Sequence, residues 1–300
     1  MQNLHTIRDW LRYAVSQFEH SDIFYGHGTD NSYDEAVWLI LSALHLPMDT
    51  LENFLDARLT DAEKAHLADL IEKRVKNHTP TAYLVKEAYL QGLKFYVDER
   101  VIVPRSFIAE LLTNSLQPWI EYPELIETAA DICTGSGCLG VLLADAFPDA
   151  MIDVIDISPD AIDVANINIA KYDLQHQITA IQSDMFAALK DKTYDLIISN
   201  PPYVDAPSMA TLPREYQQEP QLALGSGADG LDHTHTILRE AAKHLNDEGI
   251  LVVEIGHNRD AVVNAYPNLA FVWLEVSAGD QFVFMLHKAQ LVKGHNIAKN

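Results

Sequence analysis

Asn200-Pro201-Pro202-Tyr203 is a stretch whose chemistry is one-sided. Pro201 and Pro202 have no backbone N–H, so the stretch offers carbonyl acceptors without matching donors. A residue before proline is pushed away from helical angles, which holds Asn200 and Pro201 extended. Asn200 adds a side-chain carbonyl oxygen, and Tyr203 adds a flat aromatic face. Such a stretch suits a planar group carrying a donor –NH2, either a carboxamide or an exocyclic amine. The competing reading of so short a motif is a strand-to-helix loop with a proline stop.

A second set of residues surrounds the glycine run Gly135-Ser136-Gly137-Cys138-Leu139-Gly140. Glycines let backbone approach a ligand closely, and a helix start offers free N–H donors. Asp156 lies 21 residues after Gly135 (156 − 135), close to the ~20 at which an acid reaches the ribose hydroxyls of an adenosine cofactor. Asp184-Met185-Phe186 follows a third strand. There Asp184 can accept from an adenine amine with Phe186 beside the base, or it can cap a helix. The glycine run also fits a dinucleotide-binding fingerprint, so a nicotinamide dehydrogenase has to be weighed. Three features oppose it. No second parallel mononucleotide half follows, no Lys or His stands near Asn200 in the sequence, and an acceptor-only loop suits an amine rather than a carbonyl. S-adenosylmethionine fits better, because its sulfonium is cationic and its ribose and adenine need acceptors such as Asp156 and Asp184.

The elements that must hold these residues begin at Glu127, where the pattern becomes strand–helix–strand, the sign of a parallel α/β sheet. Strands are expected at Ala129–Ile132, Met151–Asp156, Thr179–Gln182, Tyr194–Ser199 and Gly249–Ile255. Ser158-Pro159 opens a helix, and another runs from His233 to Leu245, with His233 and His235 near its start. Phe271–Val276 and Phe282–Leu286 are joined too tightly for anything but an antiparallel pair at the end of the sheet. Residues 204–232 are loop-rich and read as a lid or binding loop. The tail after Lys288 reads as frayed.

Upstream, residues 1–85 read as a helical bundle. Ile7, Trp10, Leu11, Ala14, Val15 and Phe18 fall at helical spacing, and Ser32–Glu35 and Thr60–Glu63 read as capping boxes. Trp10 and Trp38 are core residues on the simpler reading, or grip a protein substrate on the other. Residues 86–106 form a linker with a hairpin around Gln91-Gly92, leaving 107–300 for the α/β domain. Arg105, just before a helix, can bind a carboxylate of a ligand or of Glu110.

With 48% apolar residues the chain can bury a core, and its formal charge is −22, from 43 acidic against 21 basic residues. That argues against sequence-independent binding to a nucleic acid backbone through Lys and Arg, and favours a basic protein or a cationic small molecule as partner. Cys133 and Cys138, with four residues between them, match no common zinc or redox spacing and read as packing residues in a reducing cytoplasm. No histidine spacing suggests a metal site. No signal pattern or membrane-length apolar run is present.

Asp131-Ile132-Cys133-Thr134-Gly135-Ser136-Gly137, Asp156-Ile157-Ser158 and Asn200-Pro201-Pro202-Tyr203 together resemble the HemK/PrmC/PrmB family of S-adenosylmethionine-dependent N5-glutamine methyltransferases. The resemblance covers nearly the whole chain. It implies a seven-stranded Rossmann-like class I methyltransferase sheet with an antiparallel last strand, preceded by a small helical domain for substrate recognition. It implies catalytic roles for Asn200, Pro201, Pro202 and Tyr203. It also implies cofactor contacts for Asp131, Thr134, Gly135, Ser136, Gly137, Asp156, Ile157, Asp184, Met185, Phe186 and Asn200, with S-adenosylhomocysteine as product and no metal. Phe95 to Ser106 and Glu219 to Leu224 are similar to the branch that modifies ribosomal protein L-three. The release-factor branch has Arg-Pro-Glu-Thr-Glu where this chain has Arg105-Ser106-Phe107-Ile108-Ala109. Release-factor glutamine and, more remotely, adenine N6 in DNA are the alternative targets. On this reading Asn200 and the Pro201 carbonyl orient the amide, and no His or Glu base is expected nearby.

Overall fold

The structure is a computed structural model that describes residues 3–297; residues 1, 2 and 298–300, the ends of the two expected domains, lie outside it. Five helices come first: α1 (Ile7–Glu19), α2 (Ser32–Ala43), α3 (Leu51–Phe54), α4 (Asp61–Asn77) and α5 (Thr81–Val85). α1 and α4 open in reciprocal capping boxes, Thr6 with Asp9 and Thr60 with Glu63. α2 opens one residue earlier than expected. Asn31 is its N-cap and accepts from the Asp34 N–H at 2.9 Å, because the Ser32 hydroxyl donates instead to Glu19 of α1. Trp10, Phe18, Leu39, Leu67 and Ile71 fill the core between these helices. Trp38 packs at the seam with Val97, Val101 and Val103, so both tryptophans take the packing role.

A hairpin follows, β1 (Ala88–Leu90) and β2 (Leu93–Phe95). Its turn residues Gln91 and Gly92 both have positive φ, 48° and 78°, as a two-residue turn matching strand twist requires. After α6 (Ile108–Leu112) come β3 (Thr128–Ile132), α7 (Cys138–Ala146), β4 (Met151–Asp156), α8 (Pro159–Lys171), β5 (Ile178–Gln182) and β6 (Tyr194–Ser199). The chain then continues through α9 (Ala206–Met209), α10 (Asp232–Glu240), β7 (Leu245–Glu254), α11 (Arg259–Ala265), β8 (Val272–Val276), β9 (Gly279–His287) and α12 (Lys288–Ile297).

The sheet order is β5-β4-β3-β6-β7-β9-β8, parallel through β7, with β9 antiparallel to both neighbours. Successive side chains of β6 alternate faces: Leu196 and Ile198 join the core under α7 and α8, and Ile197 joins the opposite core. The chain moves outward from β3 to β5 and returns to β6 on the other side of β3. A crevice therefore opens between the loops after β3 and β6.

Two further expectations are corrected. The helix expected to reach Leu245 ends at Glu240, and Leu245 already pairs with Tyr194 as the first residue of β7. From Lys288 the chain is helical through Ile297 rather than irregular, and residues 298–300 of the tail expected to fray lie outside the described residues. Leu291 is fully buried in the core, and the Gln290 side chain accepts from the His287 N–H and donates to the Ala270 carbonyl. One buried anchor and one bonded amide hold a segment whose composition is polar.

Residues 204–232 contain α9 and short helical turns and are tied down by buried charge. Arg74 of α4 donates to Glu35 of α2 (2.5 Å), to Glu215 (2.9 Å) and to the Phe24 carbonyl (3.1 Å). His78 Nδ1 stands 3.1 Å from Glu215, and Thr81 donates to Glu35 at 2.7 Å. Burial pushes the Glu215 carboxyl up, but Arg74 and His78 outweigh it and hold it below its ordinary range. Removing one partner of such a cluster strands the others without water. Arg74→Leu is therefore expected to destabilise the protein by about 3–5 kcal/mol in urea unfolding, well beyond the effect of cutting the exposed Lys73–Asp69 pair.

Candidate active site

Ile132 at the end of β3 lies opposite Ser199 at the end of β6, and the Ser199 hydroxyl donates to the Ile132 carbonyl at 2.7 Å. The glycine loop and the Asn200 loop thus leave the sheet side by side. Thr134 N–H bonds the Ile155 carbonyl, Thr134 Oγ1 donates to Asp131 (2.5 Å), and Gly135 N–H donates to Asp156 Oδ2 (2.9 Å). Asp156 Oδ1 takes the Ser158 N–H at 2.9 Å. Burial raises the Asp156 carboxyl above its ordinary range, against these two N–H groups.

Thr134, Gly135, Ser136, Asp156, Ile157, Asp184 and Met185 line one cavity together with Asn200 and Pro202. Three residues expected with them stand elsewhere. Asp131 is fully buried beneath the loop, where burial pushes its carboxyl up to about 7 despite the Thr134 bond. Gly137 sits at φ +77°, and a Cβ there would lie 3.0 Å from Ala165 of α8, so it serves close packing. Phe186 stacks on His244 at 5.0 Å in the core below. Asp184 starts no helix; the Ser183 hydroxyl accepts the Ala188 N–H, and the Asp184 carboxylate is left exposed at the cavity wall.

A second cavity adjoins the first, sharing Ile102, Arg105, Asn200, Pro202 and Ala223. Pro201, Tyr203, Tyr216, Glu254 and His257 also line it. Asn200 Oδ1 is buried and has no hydrogen-bond partner among the described residues. The Tyr203 carbonyl accepts from Asn258 at 2.8 Å, and its ring lies where a Cβ on Gly256 would come within 2.5 Å. Burial, with the Glu254 charge beside it, raises the Tyr203 phenol, so it keeps its proton.

Arg105 does meet a carboxylate, but that of Glu219, in a two-pronged bond of 2.6 and 2.7 Å, with its guanidinium 5.0 Å from the Tyr216 ring. Glu110, the partner considered from sequence, instead accepts from Ser277. Burial pushes the Glu219 carboxyl up, but Arg105 and His27 outweigh it and hold it down to about 2. The expectation that no Glu or His stands near Asn200 is overturned by Glu254 and His257. Glu254 closes the neighbouring strand β7 and His257 lies just beyond it, a tertiary approach that residues adjacent in sequence cannot reveal. One signal was present: a lone acid closing the apolar run Leu251-Val252-Val253. His233, also at the first cavity wall, pairs with Ser226 at 2.8 Å.

The Methyltransferase small domain family matches residues 109–213. A ribosomal protein uL3 glutamine methyltransferase of Neisseria gonorrhoeae is 58% identical over 97% of each chain. The chain belongs to the family of these ribosomal protein uL3 glutamine methyltransferases. Members from Burkholderia pseudomallei and Bordetella pertussis are 51% and 50% identical, over 95% of both chains and 97% of both chains respectively. A methyltransferase structure from Pyrococcus furiosus covers 76% of this chain and 99% of its own, at 16% identity and TM-score 0.47. By family the chain is a methyltransferase, and the two cavities sit at the crevice its sheet creates. No helix among the described residues is long and apolar enough to cross a membrane.

The buried Asp131 makes stability depend on pH. Its folded value of about 7 lies above the unfolded value of about 4, so between the two the folded state holds a proton that the unfolded state has lost. This contribution therefore falls as pH rises through that window. Asp131→Asn, which keeps an acceptor for Thr134, is expected to flatten the decline in urea midpoint measured across it.

Proposed function

We propose that this chain transfers a methyl group from S-adenosylmethionine to the side-chain amide nitrogen of a glutamine in ribosomal protein uL3, the L-three protein expected from sequence, in the cytoplasm. The observation that carries the reading is Asn200 Oδ1, a buried acceptor without a partner among the described residues, at the junction of the two cavities. Leaving such a group unpaired costs about 1–3 kcal/mol, and an amide N–H is the donor that would satisfy it. The names of relatives at 50–58% identity support uL3 over a release factor. The charge of −22 supports a basic protein over DNA.

The first cavity fits the cofactor. Each Asp156 oxygen uses one acceptor position on a backbone N–H and keeps another for a ribose hydroxyl. Asp184 offers an unbonded carboxylate at the same wall. When bound, S-adenosylmethionine supplies a methyl already activated on a cationic sulfur. The work left to the protein is placement and exclusion of water. The glutamine amide enters by the second cavity. Asn200 Oδ1 and the Pro201 carbonyl accept its two N–H groups and turn the nitrogen toward the first cavity. Both acceptors favour the positive charge that grows on nitrogen as it attacks. Tyr203, held by Gly256 and Asn258, walls the amide plane. The helices α1–α5 form the substrate-recognition part.

Asn200→Ala is expected to abolish methylation of uL3, read by mass spectrometry after incubation with labelled cofactor, while calorimetric affinity for the cofactor changes little. Near-normal turnover in this variant would sink the reading. The acidity predicts a second outcome. On intact uL3, kcat/KM is expected to fall as salt rises, since the Debye length is only about 8 Å at physiological ionic strength. A short neutral peptide with the same glutamine should lose most of that dependence. Matching salt profiles would make the charge a matter of solubility alone.

A further inference from the structure

Glu254 closes β7, and the preceding residues Ile250 to Val253 are all buried and apolar. Its side chain is itself buried. One oxygen, Oε2, is fixed by the Ser106 hydroxyl at 2.6 Å and the Phe107 N–H at 2.8 Å. The carboxyl lines the cavity that Asn200 and Pro201 line. Among the described residues no cation pairs with it, because the guanidinium of Arg105 is taken by both oxygens of Glu219. The two carboxyls are thus sorted by their partners: Arg105 locks Glu219 in the charged form, whereas the hydrogen-bond partners of Glu254, the Ser106 hydroxyl, the Phe107 N–H and the Tyr203 phenol, are neutral and leave it able to exchange a proton.

We infer that Glu254 is the proton acceptor of methyl transfer, receiving the proton that the amide nitrogen must lose. This rests on the glutamine reading above. The balance is complete without another reactant. The nitrogen lone pair forms a bond to the methyl carbon while the carbon–sulfur bond breaks, and that bond's electron pair stays on sulfur, leaving a neutral thioether. Nitrogen then carries two protons, the new methyl and a positive charge. One proton passes to the Glu254 carboxylate, directly or through one water, giving a neutral methylamide and a neutral carboxyl. Asn200 and Pro201 cannot do this, since amide carbonyls hold a hydrogen bond but are too weakly basic to keep the proton. Release to solvent as the cavity empties restores the carboxylate.

The charged and titratable groups around the cavity are Arg105 before α6, Tyr203 after β6, Tyr216 in the 204–232 segment, and His257 beyond β7. Burial pushes the Glu254 carboxyl up to about 7, against the bonds from Ser106 and Phe107 and the charge of Arg105. That places its exchange in the range where general bases work best.

The test is single-turnover methylation of intact uL3 across the neutral pH range. The wild-type rate should climb through the Glu254 titration and level off. Glu254→Gln should lose the climb and slow by about 10²-fold or more. A readout free of turnover is the infrared difference between wild type and E254Q without cofactor. It should show the carbonyl stretch of a protonated carboxyl that fades as pH rises through the same range. A wild-type rate and pH profile in E254Q overturns the inference, and so does a wild-type rate that falls with rising pH, which would make the neutral acid a donor. Should E254Q fail to fold, Glu254→Asp decides: a shifted inflection supports the role, and an unshifted one removes it. Failure of the glutamine reading looks different, since wild type would then label no glutamine in uL3 at all, and both ideas would fall.

Discussion

The register of β3 against β6 governs this molecule. Both Ile132 and Ser199 are buried strand ends, and their parallel pairing sets the glycine loop and the Asn200 loop shoulder to shoulder. A slip of one residue would turn every side chain of β6 to the opposite face, and the alternating burial of Leu196, Ile197 and Ile198 on two separate cores forbids it. The placement of Asn200 is therefore enforced by apolar packing far below it. The loops line the candidate site, and the sheet contributes its precision.

A second layer of order comes from carboxylates that have no access to water. Glu215 and Glu219 sit close together on a segment with little regular structure, yet they face different ways. Glu215 grips α4 through Arg74, and Glu219 grips Arg105 at the cavity wall. The helical part of the chain is consequently joined to the reaction crevice through one segment clamped at two points. Buried ion pairs add little net stability compared with apolar packing, but they fix geometry, because no rearrangement leaves the charges paired.

Much of this was legible in the sequence because some chemistry is set by covalent structure. Pro201 and Pro202 lack donors in any fold, and the shift from helical to strand–helix–strand periodicity announced the sheet and its antiparallel end. What depended on the third dimension was harder to read. Asp131 and Asp156 are both acids at strand ends, yet one lies beneath the loop and the other at its rim, a distinction of face and depth rather than of type. Phe186 and Met185 are adjacent, and only the methionine reaches the cavity. Glu254 came from a neighbouring strand. The first residue of α2 is hidden from the sequence because the Ser32 hydroxyl bonds across the bundle, and α12 is hidden because a buried leucine anchors a largely polar stretch.

The unpaired oxygen of Asn200 has a consequence for how such an enzyme evolves and is engineered. A group kept thirsty for a donor makes the resting protein less stable than an inert relative with an apolar side chain there would be. Under the proposed function, selection for folding alone would discard Asn200, and with it the grip on the incoming amide. The residue persists only while turnover is selected, so its loss is a cheap route from enzyme to sturdy, silent scaffold.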